Sequence, residues 1–83
     1  MEYRLVIPKK VQKELKRIDK QYRPRILAAF VALKKNPFLG KKLEGKYKNK
    51  RSYRVWPYRI IYNIKEKESV ILIIKIGHRQ GVY

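Results

Sequence analysis

The stretch "RSYRVWPYRIIYNIKEKESVILIIKIGHRQGVY" (residues 51–83) decides the fold. It holds three strand signals, "RSYRVWP" (51–57), "YRIIYNI" (58–64) and "VILIIKI" (70–76), each rich in β-branched or aromatic residues. "KEKES" (65–69) joins the last two as a hairpin loop. Side chains alternate along a strand, so Tyr58, Ile60, Tyr62 and Ile64 share one face, and Arg59, Ile61 and Asn63 share the other. The first set predicts the core face, which leaves Arg59 on the opposite side. His78 and Arg79 follow the last strand, and Tyr83 closes the sequence. A small sheet gains no core from any of these four.

Working outward, "EYRLVI" (2–7) alternates Tyr3, Leu5 and Ile7 against Arg4 and Val6, a short strand. Pro8 ends it and suits the first turn of a helix. "PKKVQKELKRID" (8–19) places Val11, Leu15 and Ile18 at helical spacing under a lysine-rich outer face. "RPRILAAFVALKKN" (23–36) repeats the pattern with Ile26, Phe30 and Leu33 on one stripe and Leu27 and Val31 beside it. Asp19 is a cap candidate, Pro24 belongs in the first turn, and the "NP" at 36–37 stops the helix. So few residues join the helices that an antiparallel hairpin is predicted. "FLGKKLEGKYKNK" (38–50) reads as a basic loop with at most a short strand or turn. The expected fold is α+β, in the order β-α-α-β-β-β: one antiparallel sheet with the helical hairpin on one face and the other face open.

The 83 residues predict a single domain over 1–83, burying roughly 60–65% of its unfolded surface. Lysine and arginine number 23 against 6 acidic residues, a formal net charge of +17. Such a charge opposes compaction, and polyanion binding is the usual gain. The pattern favours nucleic acid or ribosome contact over a merely solvated surface, although an acidic protein would fit the same charge. The absence of cysteine excludes disulfides and thiolate metal sites and fits a reducing cytoplasm. No apolar run reaches membrane-spanning length, and "VILIIKI" is interrupted by Lys75. "MEYRLVIPKK" runs directly into alternating structure, so no signal peptide is expected.

One histidine and no cysteine make a zinc site improbable, and the glycines form no phosphate-cradling motif. Ser52 and Ser69 are the only serines and Asp19 is the only aspartate, so no Ser-His-Asp set is readable. No cofactor is expected. What remains is Arg, Lys, His and Tyr, a set suited to phosphodiester transfer on RNA. There the substrate's 2′-OH is the nucleophile, and the protein supplies a base, cations for the transition state and an acid for the leaving oxygen. Arginine stabilises phosphate oxygens by bidentate contact, and tyrosine either stacks on a base or removes a proton.

"YRIIY" (58–62), the following apolar strand and "IGHRQGVY" (76–83) resemble the RelE/ParE superfamily of type II toxins, in particular its RelE branch. The leading strand, the basic helical hairpin, the "NP" stop and "KLEG" (42–45) fit as well, so the resemblance covers nearly the whole sequence. It implies a fold similar to small microbial ribonucleases and cleavage of mRNA in the ribosomal A site. By that resemblance Arg59 contacts the scissile phosphate, and Arg79 binds phosphate and protonates the leaving group. Tyr83 stacks on the base or helps to activate the 2′-OH. Lys50, Arg51 and Arg54 are candidates for the basic residues before the "YR". Ser52 stands where a lysine is expected, and Trp56-Pro57 replaces a Gly-Asp turn. The helix that follows the tyrosine in some relatives does not appear in this sequence.

Each of these residues has a plainer reading. Arg59 and Arg79 fit a solvated cationic surface, and Tyr83 a fraying end. His78 is an acid or base candidate near neutral pH, or simply an exposed strand end. Tyr47, Tyr53 and Trp56 either stack on RNA bases or complete the core. Lys9, Lys10, Lys13, Lys16, Lys20, Lys34 and Lys35 bind ribosomal RNA, or merely solvate the helices.

The expected function is a ribosome-dependent endoribonuclease toxin acting by metal-free transesterification, with ribosome, mRNA and a cognate antitoxin as partners. The alternatives are a ParE-like DNA gyrase inhibitor on the same fold and a non-catalytic basic RNA- or ribosome-binding protein.

Overall fold

The computed structural model describes residues 2–78, apart from the side chain of Tyr47. The elements run β1 (Arg4–Val6), α1 (Lys9–Arg17), α2 (Arg23–Lys35), β2 (Lys41–Lys42), β3 (Arg51–Val55), β4 (Tyr58–Lys65) and β5 (Val70–His78). Short 3-10 turns lie at Lys20–Tyr22, Pro37–Leu39, Gly45–Tyr47 and Glu66–Glu68.

The α+β class holds, and the sheet differs from expectation in two ways. It has five strands in the order β1-β5-β4-β3-β2, because Lys41 and Lys42 of the basic loop pair with Ser52 and Arg51. It is also mixed, not antiparallel throughout: β1 runs parallel to β5, with Leu5 opposite Ile71. The chain leaves β1 through two helices and returns through a three-hairpin meander. Its last strand therefore comes back beside the first in the same direction. Parallel neighbours need such a crossover, and no local pattern reports it.

Helix α1 stops at Arg17, two residues short of the predicted end, with Ile18 extended at φ −74° and ψ 136°. The Arg23 guanidinium donates to the carbonyls of Lys16 (2.6 Å) and Ile18 (3.0 Å), satisfying acceptors at that end. Asp19 caps as expected, although for the 3-10 turn: its Oδ1 accepts from Gln21 N–H at 3.1 Å. Pro24 lies at the start of α2 and Asn36 ends that helix.

The core joins Val11, Ile18, Ile26, Phe30 and Leu33 to Ile60, Tyr62, Ile71, Ile73 and Ile76. Tyr58 and Ile64 pack against it, so the face assignment along β4 holds. Leu27 and Val31 do not join the buried stripe and are 53% and 54% exposed. The sheet covers only one side of α2, and the 26–29–30–33 stripe fills that side.

Helix α1 crosses β5, where Glu14 Oε1 accepts from Ile76 N–H at 3.0 Å. Pairing with β1 ends at Leu72, so this carboxylate satisfies a donor beyond the reach of the edge strand. Glu14→Ala is expected to lower unfolding free energy by about 1–2 kcal/mol, since a backbone donor loses a charged acceptor. Urea denaturation measures it; an unchanged midpoint would mean that water replaces the carboxylate.

Tyr62 is fully buried and ties the basic loop to the sheet. Its hydroxyl donates to Pro37 O at 2.6 Å and accepts from Gly40 N–H at 2.9 Å. Burial pushes the Tyr62 phenol up, outweighing the Gly40 N–H and the Arg51 guanidinium, which pull it down. A raised folded value means that the unfolded chain releases this proton first. The contribution is intact below pH 10.0, the ordinary value, and is lost as pH rises beyond it. Alkaline melts should therefore show wild type losing stability faster than Tyr62→Phe above that pH.

Candidate nucleic-acid interface

On the face away from the helices, register places cationic side chains side by side. Arg54 of β3 is directly opposite Arg59 of β4, which is opposite Gly77 of β5. The next rung runs Lys41, Ser52, Ile61, Lys75 across four strands. Strands lie about 4.8 Å apart, so four cations fall within about 14 Å on two adjacent rungs. No strand residue paired on this face is acidic; Arg4, Asn63 and Lys65 extend it. Like charges directly opposite each other destabilise a sheet. An anion bound at the Arg54–Arg59 rung would be attracted by both side chains and offset their mutual repulsion.

The face is not open at its centre. Ile61 is 1% exposed and Ser52 6%, and among the described residues the Ser52 Oγ has no hydrogen-bond partner. Charges around such an apolar centre are screened less than on a fully wet surface.

Lys75 reaches this face through an irregularity that the sequence conceals. Strict alternation groups it with Ile71 and Ile73, which are core residues. The register instead steps from Ile61 opposite Lys75 to Tyr62 opposite Ile73, leaving Ile74 as an extra residue in β5. That bulge hands the core position to Ile76 and turns Lys75 to the face that carries Arg59. Lys41 was equally invisible, because its strand is two residues long. The only available signal was a lysine inside an apolar run, which alternation would have buried unpaired.

The other candidates divide. Arg51 belongs to the helix side: its NH1 donates to Gly40 O at 2.7 Å and its Cζ lies 5.1 Å from the Phe38 ring centroid. Those contacts make it a brace for the basic loop, away from Arg54. His78 also leaves the arginine face. It pairs with Tyr58, their rings edge-to-face at 5.8 Å, and Tyr58 meets Tyr22 at 5.7 Å. Tyr53 packs against the core, whereas Trp56 is 53% exposed. Lys50 lines a cleft of about 500 Å³ near the far end of β4, with Lys42, Asn63 and Lys65. Arg79 and Tyr83 lie outside the described residues. Among the described residues, no group of three or more His, Asp or Glu side chains is placed to hold a metal ion. No helix there is long and apolar enough to cross a membrane.

Residues 5–83 match the family model described as the ParE toxin of the type II toxin-antitoxin system, parDE. The chain belongs to the RelE/ParE superfamily of toxins. This toxin is 33% identical over 66 residues to toxin RelG of Mycobacterium tuberculosis, spanning 72% of this chain and 76% of RelG. It is 34% identical to a chain of the RelE–RelB complex from Pyrococcus horikoshii OT3, over the full length of both, with a TM-score of 0.77. An E. coli toxin RelE with two arginines replaced by alanine, in the free state, superposes with a TM-score of 0.83. At 20% identity, over 99% of this chain and 88% of that one, it shows the shared fold alone.

Proposed function

We propose that this toxin is an mRNA endoribonuclease acting on the ribosome, and that the Arg54–Arg59 face holds the scissile phosphate. The observation that carries the reading is the pair of arginines in direct cross-strand register with Lys75 and Lys41 on the next rung. That pair offers two guanidinium groups to one phosphate, with further cations for its neighbours along a backbone.

In the proposed reaction the 2′-oxygen attacks the adjacent phosphorus and the bond to the 5′-oxygen breaks. A 2′,3′-cyclic phosphate and a 5′-hydroxyl result. The 2′-OH proton goes to a base, and the departing oxygen takes one from an acid. Arg59 and Arg54 stabilise the added charge on the non-bridging oxygens, more strongly in the transition state than before it. Arg79 and Tyr83 follow β5, whose Gly77 is already opposite Arg59. They are proposed as the leaving-group partner and the base-stacking or proton-accepting group. The chemistry asks for no cofactor. Action on ribosome-bound mRNA would place the protein in the cytoplasm, as one domain.

A cognate antitoxin completes the proposal. The similar P. horikoshii RelE was solved with RelB, and a net charge of +17 suits an acidic segment that orders on binding. The family description names ParE, which keeps gyrase inhibition as the second reading. Primer extension on a translated mRNA separates them. Ribosome-dependent new 5′ ends are expected; intact mRNA with DNA breaks would overturn the ribonuclease reading in favour of gyrase inhibition.

A further inference from the structure

We infer that Trp56 is the platform on which a base of the bound RNA stacks, next to the phosphate held by Arg54 and Arg59; the inference rests on the ribonuclease reading above. Trp56 and Pro57 are the whole connection between β3 and β4. The two arginines sit on the second rung from that turn, behind the Val55–Tyr58 rung. Trp56 is thus two residues along the chain from Arg54, about 7 Å of extended backbone. The Trp56–Pro57 peptide bond is cis, the turn class that takes proline at its third position. This turn presents the largest side chain in the protein at the end of the hairpin, 53% exposed.

The surrounding chemistry selects the occupant. A nucleotide offers an anion and an aromatic face at a short fixed separation, and this end of the hairpin offers two guanidinium groups and an indole in the same order. Stacking on an exposed aromatic accepts any base, while the phosphate contact supplies charge. An acidic protein segment would match the arginines equally well, but it has no required flat group for the indole. The four-cation face also continues away from the turn, toward Lys41 and Lys75, along which a backbone of phosphates can run.

Trp56 is the only tryptophan, so its emission reports on this position alone. The full-length protein is titrated at low salt with a short single-stranded RNA. Tryptophan fluorescence and anisotropy of a label on the RNA are read together. Expected is quenching that saturates in step with anisotropy. Trp56→Ala should weaken RNA binding about ten- to a hundred-fold, and Trp56→Phe should retain most of it. An RNA of the same length with abasic sites should bind wild type and Trp56→Ala alike. Circular dichroism melts check that each variant is folded.

Arginine-dependent RNA binding without quenching, or equal affinity for intact and abasic RNA, would overturn the inference. So would quenching by an acidic peptide but not by RNA, which would make this an acidic partner's contact. Wild-type cleavage of translated mRNA, run in parallel, tests the ribonuclease reading separately. A toxin that cuts mRNA while its tryptophan ignores RNA keeps the function and loses only the platform.

Discussion

Arg59→Ala is expected to slow mRNA cleavage by about 10²–10³-fold while leaving the protein folded. That is the usual loss when one preorganised donor to a developing negative charge is removed. The effect on stability combines opposed terms and is read separately. The variant loses the packing of a partly buried arginine stem. It also relieves the repulsion between directly opposed Arg54 and Arg59. Arg59→Lys retains the charge but not the planar fork, so its rate should fall between wild type and alanine. Single-turnover cleavage on programmed ribosomes gives the rates, and thermal melts give the stabilities. If Arg59→Ala cleaved at the wild-type rate, the phosphate would have to be held elsewhere and the Arg54–Arg59 face would lose its role. Arg54→Ala is expected to follow the same direction with a smaller loss, since Arg54 is exposed and water can replace more of its contact.

Gly40→Ala is expected to produce the largest loss of stability from adding a single methyl group, about 2–3 kcal/mol. Gly40 is buried. A Cβ there would stand 2.8 Å from Tyr62 Cε1 and closer still to the hydroxyl oxygen. Its backbone has φ −74°, so the cost is steric crowding and not backbone conformation. Relief requires displacing the Tyr62 ring, which breaks the hydrogen bonds to Pro37 O and Gly40 N–H. Overpacking costs about 1–3 kcal/mol, and lost buried hydrogen bonds add to it. For a domain of this size each kcal/mol lowers the melting midpoint by about 4–8 °C. Tyr62→Phe alone should cost about 1–2 kcal/mol. The double variant should lose less than the sum, because removing the hydroxyl removes the nearest clash while the ring contact persists. Strict additivity would show that the two residues do not meet. The consequence reaches the site: the loop anchored by Tyr62 and Arg51 delivers Lys41 to the cationic face. Gly40→Ala should therefore weaken RNA binding as well as stability.

Much of the molecule is written in local pattern. Alternation in 58–64 assigns Ile60 and Tyr62 to the core and Arg59 to the other face, since neighbouring residues of a strand must point oppositely. Helical spacing finds Val11, Ile26, Phe30 and Leu33 for the same kind of reason. Asp19, Pro24 and the "NP" at 36–37 set helix boundaries through backbone chemistry that acts within a few residues. The charge of +17 needs only counting.

What tertiary structure alone decided are relations between distant segments. The parallel β1–β5 pairing depends on the direction of the whole return path. The bulge at Ile74 breaks the alternation that would have hidden Lys75 in the core. The same bulge turns His78 to the helix side opposite Tyr58, where strict alternation would have set it on the face of Arg59. Composition, periodicity and capping are properties of neighbours along the chain, and the sequence by itself determined those. The pairing of Arg54 with Arg59, and the arrival of Lys41 and Lys75 beside them, are properties of neighbours across the sheet. They exist only once the strands have found their register.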